Sequence, residues 1–266
     1  MSRNFELLSR ARGAEALFPP VMGNGSLENS SVPRQADAIQ NEVVEINKTD
    51  VRLPELAWDG REREELVKLV RRVFAFPNSH APRAVTFASV EGNASSEFCF
   101  RVGAVLAAQA SASVCLVDAN LHAPSLCLLS GVAPSPGLFD ATMRPESIID
   151  FPVRIAGTNL WVVPPGSAPN TIQSAFLSDR LRARFAELRG IFDYVLVDAP
   201  LITSPGDAVL LGQMADGVIL IIEAHSTRRE TARTAKDTFE RANVKLLGAI
   251  LNNRTFPIPE ALYRKL

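Results

Sequence analysis

The sequence predicts an α/β protein, a three-layer stack in which a mostly parallel sheet lies between two layers of helices. Three observations carry this. From Arg83 onward, short continuous apolar runs alternate with helical stretches, the pattern of parallel strands covered on both faces. The stretch 84–97, AVTFASVEGNASSE, followed by the run 98–110 and a second apolar run 113–118, reads strand, tight loop, helix, strand. Two apolar strands, VCLVD and YVLVD, end in Asp118 and Asp198. In an open α/β sheet, ligands sit beyond the carboxyl ends of the strands.

Taken in order, residues 2–18 have Phe5, Leu8 and Ala11 at helical spacing, which predicts a short amphipathic helix. Residues 19–37 are rich in Pro, Gly, Ser and Asn and predict disorder. The stretch 41–56 is weakly extended. Residues 1–57 therefore form a flexible extension with a short helix, and 58–266 form the folded unit. Residues 59–76 predict a helix, with Asp59 as a cap and Leu66, Leu69, Val70 and Val73 as its apolar stripe. Strands are expected at 84–88, 113–118, 160–163, 194–198, 218–222 and 247–251, and helices at 98–110, 175–188, 205–213 and 227–241. Neither an internal repeat nor a second domain is evident.

Composition narrows the function. A chain of 266 residues that is 47% hydrophobic affords one large core. The net charge of −1 argues against general nucleic-acid binding. Cys99, Cys115 and Cys127 have no metal spacing and read as buried thiols in a reducing compartment. The first 18 residues carry Glu6 and Glu15 and no apolar core, so no signal peptide is expected. The run 218–222 is too short to span a bilayer, so the expected place is the cytoplasm.

The loop after the first strand lies where a phosphate-binding loop would lie. Such a loop, G-x-x-x-x-G-K-[ST], cradles phosphates with backbone N–H groups, neutralises them with Lys and holds Mg²⁺ with Ser or Thr. Here Gly92 and Asn93 are followed by Ala94 at the second glycine and Ser95 at the lysine, while Ser96 keeps the metal-ligand place. Two strand-end carboxylates beside such a loop suit Mg²⁺ bound to phosphates, although a single strand-end Asp often only caps its loop.

From Glu65 to the C-terminus the chain resembles the bacterial tyrosine kinases of polysaccharide export, of the CpsD/CapB type. These are P-loop NTPase-like proteins related to MinD and ParA. VEGNASSE stands at Walker A, VDANLHAPSL at the second acidic motif, PSPGLFDAT at the turn that follows, and FDYVLVDAPLITSPGDAVLL at Walker B. ADGVILIIEAHSTRRE and LLGAILNNRTFPIPEALYRKL match the last two strands. The resemblance implies ATP and Mg²⁺ as cofactors where binding is retained, and none otherwise. It implies a nucleotide site of Gly92, Asn93, Ala94, Ser95, Ser96, Glu97 and Asn252, with Asn252 at the adenine. It further implies Mg²⁺ on Ser96, Asp118 and Asp198, and a catalytic set of Asp118, Asn120 and Asp198. Glu65, Lys68 and Arg71 stand at the family's oligomerisation motif, and Tyr263 at its tyrosine-rich tail. Their plainer readings are a solvated helix face and a tail residue packed on the domain.

The departures concentrate on catalysis. Ser95 replaces the lysine, and no lysine lies between Lys68 and Lys236. Ala94 replaces a glycine and is expected to resist the positive φ of a phosphate nest. Glu97 follows Ser96, Asn120 replaces a second aspartate, and His122 replaces an arginine. The expectation is a regulatory pseudokinase of exopolysaccharide or capsule biosynthesis with lost or weak ATP binding. The implied partners are further copies of itself, a Wzz-like membrane polysaccharide copolymerase or an intact kinase paralogue, which places it peripherally at the inner membrane. The alternatives are an active ATP-dependent tyrosine autokinase controlling polymerisation and export, and a ParA/MinD-like positioning ATPase. The motif on 65–71 and the tail tyrosine weigh against the latter.

Overall fold

The computed structural model describes residues 4–7, 51–52, 60–74, 81–110, 112–121, 123–134, 136–144, 147–167, 179–202 and 205–254. Its strands are β1 (Asn4–Leu7), β2 (Val51–Arg52), β3 (Ala84–Ser89), β4 (Val114–Asp118), β5 (Val153–Ala156), β6 (Leu160–Val163), β7 (Tyr194–Asp198), β8 (Gly217–Glu223) and β9 (Leu246–Arg254). The helices are α1 (Gly60–Phe74), α2 (Ala94–Ala110), α3 (Leu126–Ser130), α4 (Leu138–Met143), α5 (Asp179–Ile191), α6 (Pro205–Met214) and α7 (Arg229–Arg241). Among the described residues the strands form one sheet in the order β1-β9-β8-β3-β7-β4-β6-β5-β2. Only β1 with β9 and β5 with β6 run antiparallel.

The period-two alternation of each strand builds the two cores. Ala84, Ala88, Cys115, Val117, Val195, Val197, Val218 and Leu220 face α4, α5, α6 and α7, meeting Phe139, Phe185, Leu211 and Phe239. Val85, Phe87, Val114, Leu116, Leu196, Ile219 and Ile221 face the other way, onto Leu66, Val70 and Phe74 of α1 and Phe98 and Val102 of α2. Phe87, Phe98 and Phe100 are wholly buried; truncating such a side chain to Ala costs about 3–5 kcal/mol. Gly103 lets α2 lie close on β4, since a Cβ there would stand 2.5 Å from Leu116 Cδ2. The helix after the loop is therefore held rigidly over the sheet.

The predicted strands and the helices over 59–76, 98–110, 205–213 and 227–241 all form, each within a few residues of its expected bounds. The helix expected over 175–188 runs from Asp179 to Ile191 among the described residues. The helix expected over 2–18 does not form at Asn4–Leu7, which is a strand; residues 8–18 lie outside the described residues. The reason is tertiary. The outer edge of β9 offers unpaired backbone groups, and β1 takes them with Asn4 opposite Arg254 and Leu7 opposite Ile250. The stretch around Gly137, expected as a turn, continues into α4. Asp140 closes its first turn by accepting from the backbone N–H of Gly137 at 2.9 Å and of Ser167 at 3.1 Å.

Candidate functional site

The carboxyl ends of β3, β7, β4, β8 and β9 meet around the loop 90–93. Gly92 takes φ +70° at the exposed tip of this loop, a conformation that glycine permits. Asn93 beside it is exposed. Ala94 opens α2 and is absent from the positive-φ residues, so the strain expected of it does not arise. Ser95 is 2% exposed, and its backbone N–H donates to Ser89 Oγ at 2.9 Å. A loop N–H of the kind that would cradle a phosphate is thus spent inside the chain.

Ser96 turns inward. Its hydroxyl donates to Asp198 Oδ2 and lies 3.0 Å from Ser125 Oγ. Asp118 and Asp198 are register partners on neighbouring strands, and both are fully buried. Asp118 Oδ1 accepts from the Asn120 backbone N–H at 3.1 Å. Asp118 Oδ2 and Asp198 Oδ1 accept no close, well-aligned hydrogen bond among the described residues. The Leu126 and Cys127 amides act on Asp118, and the Ser95 hydroxyl on Asp198, only from beyond that geometry. Burial pushes Asp118 up to about 7, with the amides of Asn120, Cys127 and Leu126 pulling the other way. Burial and then the charge of Asp118 push Asp198 up to about 8, against the hydroxyls of Ser96 and Ser95. Two orphaned carboxylate oxygens beside a hydroxyl fit a hard divalent cation, so Ser96, Asp118 and Asp198 are the residues that would hold Mg²⁺. The rest of the loop does not fit a triphosphate: no Lys or Arg occurs from 84 to 100.

Asn120 is buried and accepts from the Ala123 backbone N–H at 3.2 Å, shaping the turn after β4. Glu97 points away from the loop along α2 and pairs with Arg101 at 2.7 Å; Arg101 also reaches Glu62 of α1 at 3.1 Å. Asn252 is buried and donates from Nδ2 to Glu223 Oε1 at 2.8 Å. Lys68 and Arg71 are exposed on α1, with Lys68 paired to Glu65 at 2.7 Å. The structure brings Ser95, Ser96, Asp118, Asn120 and Asp198 together and leaves Glu65, Lys68 and Arg71 on an outer face. Tyr263 and His122 lie outside the described residues. The three cysteines are buried and free.

Sequence reading missed Ser89 and Glu223. Glu223 ends the apolar run GVILIIE as Asp118 and Asp198 end theirs, and extending that signal from Asp to Glu would have found it. Ser89 offered only a small polar residue at a strand end.

No protein-family model matches the chain. The tyrosine-protein kinase YwqD of Bacillus subtilis (strain 168) is 30% identical over 151 residues, 57% of this chain and 64% of that protein. The putative tyrosine-protein kinase CapB of Staphylococcus aureus is 25% identical over 149 residues, 56% of this chain and 65% of that protein. The succinoglycan biosynthesis transport protein ExoP of Rhizobium meliloti (strain 1021) is 29% identical over 155 residues, 56% of this chain and 19% of that protein. The matched part thus spans a little under two thirds of YwqD and CapB. Among solved structures, the chimerical protein CapA2B2 superposes with a TM-score of 0.68 at 19% identity, over 74% of this chain and 86% of that one. MinD in the MinC:MinD cell division complex of Aquifex aeolicus marks the wider fold, with a TM-score of 0.52 at 18% identity over 62% of this chain and 66% of the matched chain. The chain is thus a homologue of the CpsD/CapB-type bacterial tyrosine-protein kinases, built on a MinD-like P-loop fold.

Proposed function

We propose that this chain is a regulatory member of the polysaccharide-biosynthesis tyrosine kinases that has lost or weakened ATP binding and acts through assembly. The observation that carries this reading is Ser95: it stands at the lysine place, is buried, and spends its N–H on Ser89. A charge-assisted hydrogen bond to phosphate contributes roughly 1.5–3 kcal/mol, so its loss weakens nucleotide binding about ten- to a hundredfold. Loss of a group that stabilises transition-state charge slows a reaction by about 10²–10³. Asn120 withdraws a second carboxylate from the same place.

A second reading, an active tyrosine autokinase, is favoured by one observation: Ser96, Asp118 and Asp198 remain assembled, with two carboxylate oxygens that make no close hydrogen bond among the described residues. Ser96, Asp118 and Asp198 would hold a divalent cation there, and it would supply positive charge to offset that of phosphates.

The proposed partners are other copies, meeting through Glu65, Lys68 and Arg71, and a membrane polysaccharide copolymerase or an intact kinase paralogue. In this proposal residues 58–266 are the kinase-like unit and 1–57 its extension. The protein works in the cytoplasm at the inner membrane, held there by its partner; no helix among the described residues is long and apolar enough to cross a membrane. Tyr263 is the proposed phosphorylation site, acted on by the intact paralogue.

The test is incubation of the purified chain with ATP and Mg²⁺, with phosphotyrosine read by antibody and mass spectrometry. The expected result is no signal above that of Asp198→Ala. Strong phosphotyrosine at Tyr263 that disappears in Asp198→Ala would overturn the regulatory reading in favour of the autokinase.

A further inference from the structure

Glu223 ends β8 next to the loop, and its carboxylate contacts two asparagines and the loop tip. Its Oε1 accepts from Asn252 Nδ2 and its Oε2 from Asn253 Nδ2, both at 2.8 Å. A Cβ built on Gly92 would meet Glu223 Cγ at 3.8 Å and Oε1 at 3.9 Å, so the carboxylate lies against the loop tip. Asn253 adopts φ +56°, a left-handed conformation that asparagine tolerates. The turn after Glu223 is tied down as well. The Glu223 backbone N–H donates to Thr227 Oγ1 at 3.2 Å, and the Ser226 hydroxyl donates to Glu91 Oε2 at 3.2 Å. Two carboxylates, Glu91 and Glu223, therefore flank a loop segment that has no cationic residue from 84 to 100.

We infer that Glu223 is an internal blocker of the nucleotide place: its carboxylate takes the amide donors of Asn252 and Asn253 and sets negative charge against the loop that would receive phosphates. This rests on the reading above in taking loop 90–93 as the remnant of a phosphate cradle, and it adds a separate cause. Ser95 is an attraction removed; Glu223 is a competitor and a repulsion added. A triphosphate would approach two carboxylates at short range, and a base seeking Asn252 would have to displace Glu223 first. Removing the carboxylate alone should then admit nucleotide, even with Ser95 in place.

The experiment is calorimetric titration of the full chain with Mg²⁺-ATP at low ionic strength, comparing wild type, Glu223→Gln, Glu223→Ala and Ser95→Lys. Circular dichroism confirms that each is folded. Glu223→Gln keeps the shape of the side chain and decides the matter if Glu223→Ala does not fold. The expected result is a gain of about tenfold or more in affinity for the Glu223 variants over wild type. The Glu223→Gln gain should shrink as added salt screens the removed repulsion. A folded Glu223→Gln that binds no better than wild type overturns the inference; if Ser95→Lys gains in the same series, the reading of a lost cradle stands without it. Tight Mg²⁺-ATP binding by wild type overturns both.

Discussion

The carboxyl edge of the sheet has two halves that differ in how their polar groups are satisfied. Beyond β4 and β7, Asp118 and Asp198 stand in register, fully buried, each with one oxygen that makes no close hydrogen bond among the described residues. Beyond β8 and β9, Asn252 and Asn253 both donate to the Glu223 carboxylate, so this half is closed by its own hydrogen bonds. Unpaired buried polar groups are costly, and a proton or a cation relieves the cost. The closed half carries no such penalty. Under the proposed loss of nucleotide, one end of the site is satisfied by its own hydrogen bonds while the other keeps a cost that a bound cation would relieve.

The largest effect expected from this contrast is on stability as a function of pH. Burial lifts Asp118 to about 7 and Asp198 to about 8, the latter also by the charge of Asp118. Unfolded aspartate titrates near about 3.9, so between that value and the folded ones the native state binds more protons than the unfolded chain. The contribution of the pair is full below about pH 4 and is lost as pH rises through the folded values. Asp216 runs in the opposite sense: burial lifts it, but hydrogen bonds from Ala84, Arg189 and Arg83 outweigh that and hold it low. The wild-type profile is therefore mixed, and the difference from Asp198→Asn isolates the pair. At pH 8.5 Asp198→Asn should be the more stable protein in urea unfolding, by on the order of several kcal/mol, and the difference should vanish near pH 4. Equal stabilities across the range would mean that burial does not hold Asp198 protonated in the folded protein.

The next effect sharpens the contrast from the loop side. Ser95→Lys with Asn120→Asp restores a cation facing the phosphates and a second carboxylate beside Asp118. Mg²⁺-ATP affinity should rise about ten- to a hundredfold by calorimetry. Adding Ala94→Gly should contribute nothing further, because Ala94 already opens α2 without positive φ. A large extra gain from the glycine would mean that the loop must leave its present conformation to hold phosphate.

The parallel sheet was legible because burial on both faces leaves a pattern that tertiary contacts do not rewrite: VCLVD and YVLVD could hardly be other than buried strands. The carboxylate pair was legible for the same reason, since strand ends place their side chains. The helix expected at 2–18 was not borne out at Asn4–Leu7, because a weak local periodicity yielded to the free edge of β9, which lies more than 240 residues away in the chain. Ser89 and Glu223 went unseen because their roles depend on folded contacts, Ser89 with Ser95 across the loop that follows β3 and Glu223 with Asn252 on the neighbouring strand. Glu97, a departure in the motif, is harmless in space: it pairs with Arg101 on its own helix.

The smallest effect on the fold concerns α1, which joins the Asp118–Asp198 half through its apolar face and one buried ion-pair link. Arg101, 12% exposed, joins Glu62 of α1 to Glu97 of α2, and α2 carries Ser96. Lys68 and Arg71 lie on the opposite, exposed face, and the Lys68–Glu65 pair there stands in solvent. Exposed pairs contribute little to stability, so reversing both charges should leave secondary structure and thermal midpoint unchanged. If copies meet through this face, Lys68→Glu/Arg71→Glu should sediment as a smaller species than wild type at about 50 µM, a concentration that populates weak interfaces. Wild type that is already a monomer there would refute assembly through α1. A drop in thermal midpoint instead would mean that the outer face of α1 supports the fold, and that the two faces of this helix are not separable in the way the Glu62–Arg101–Glu97 link implies.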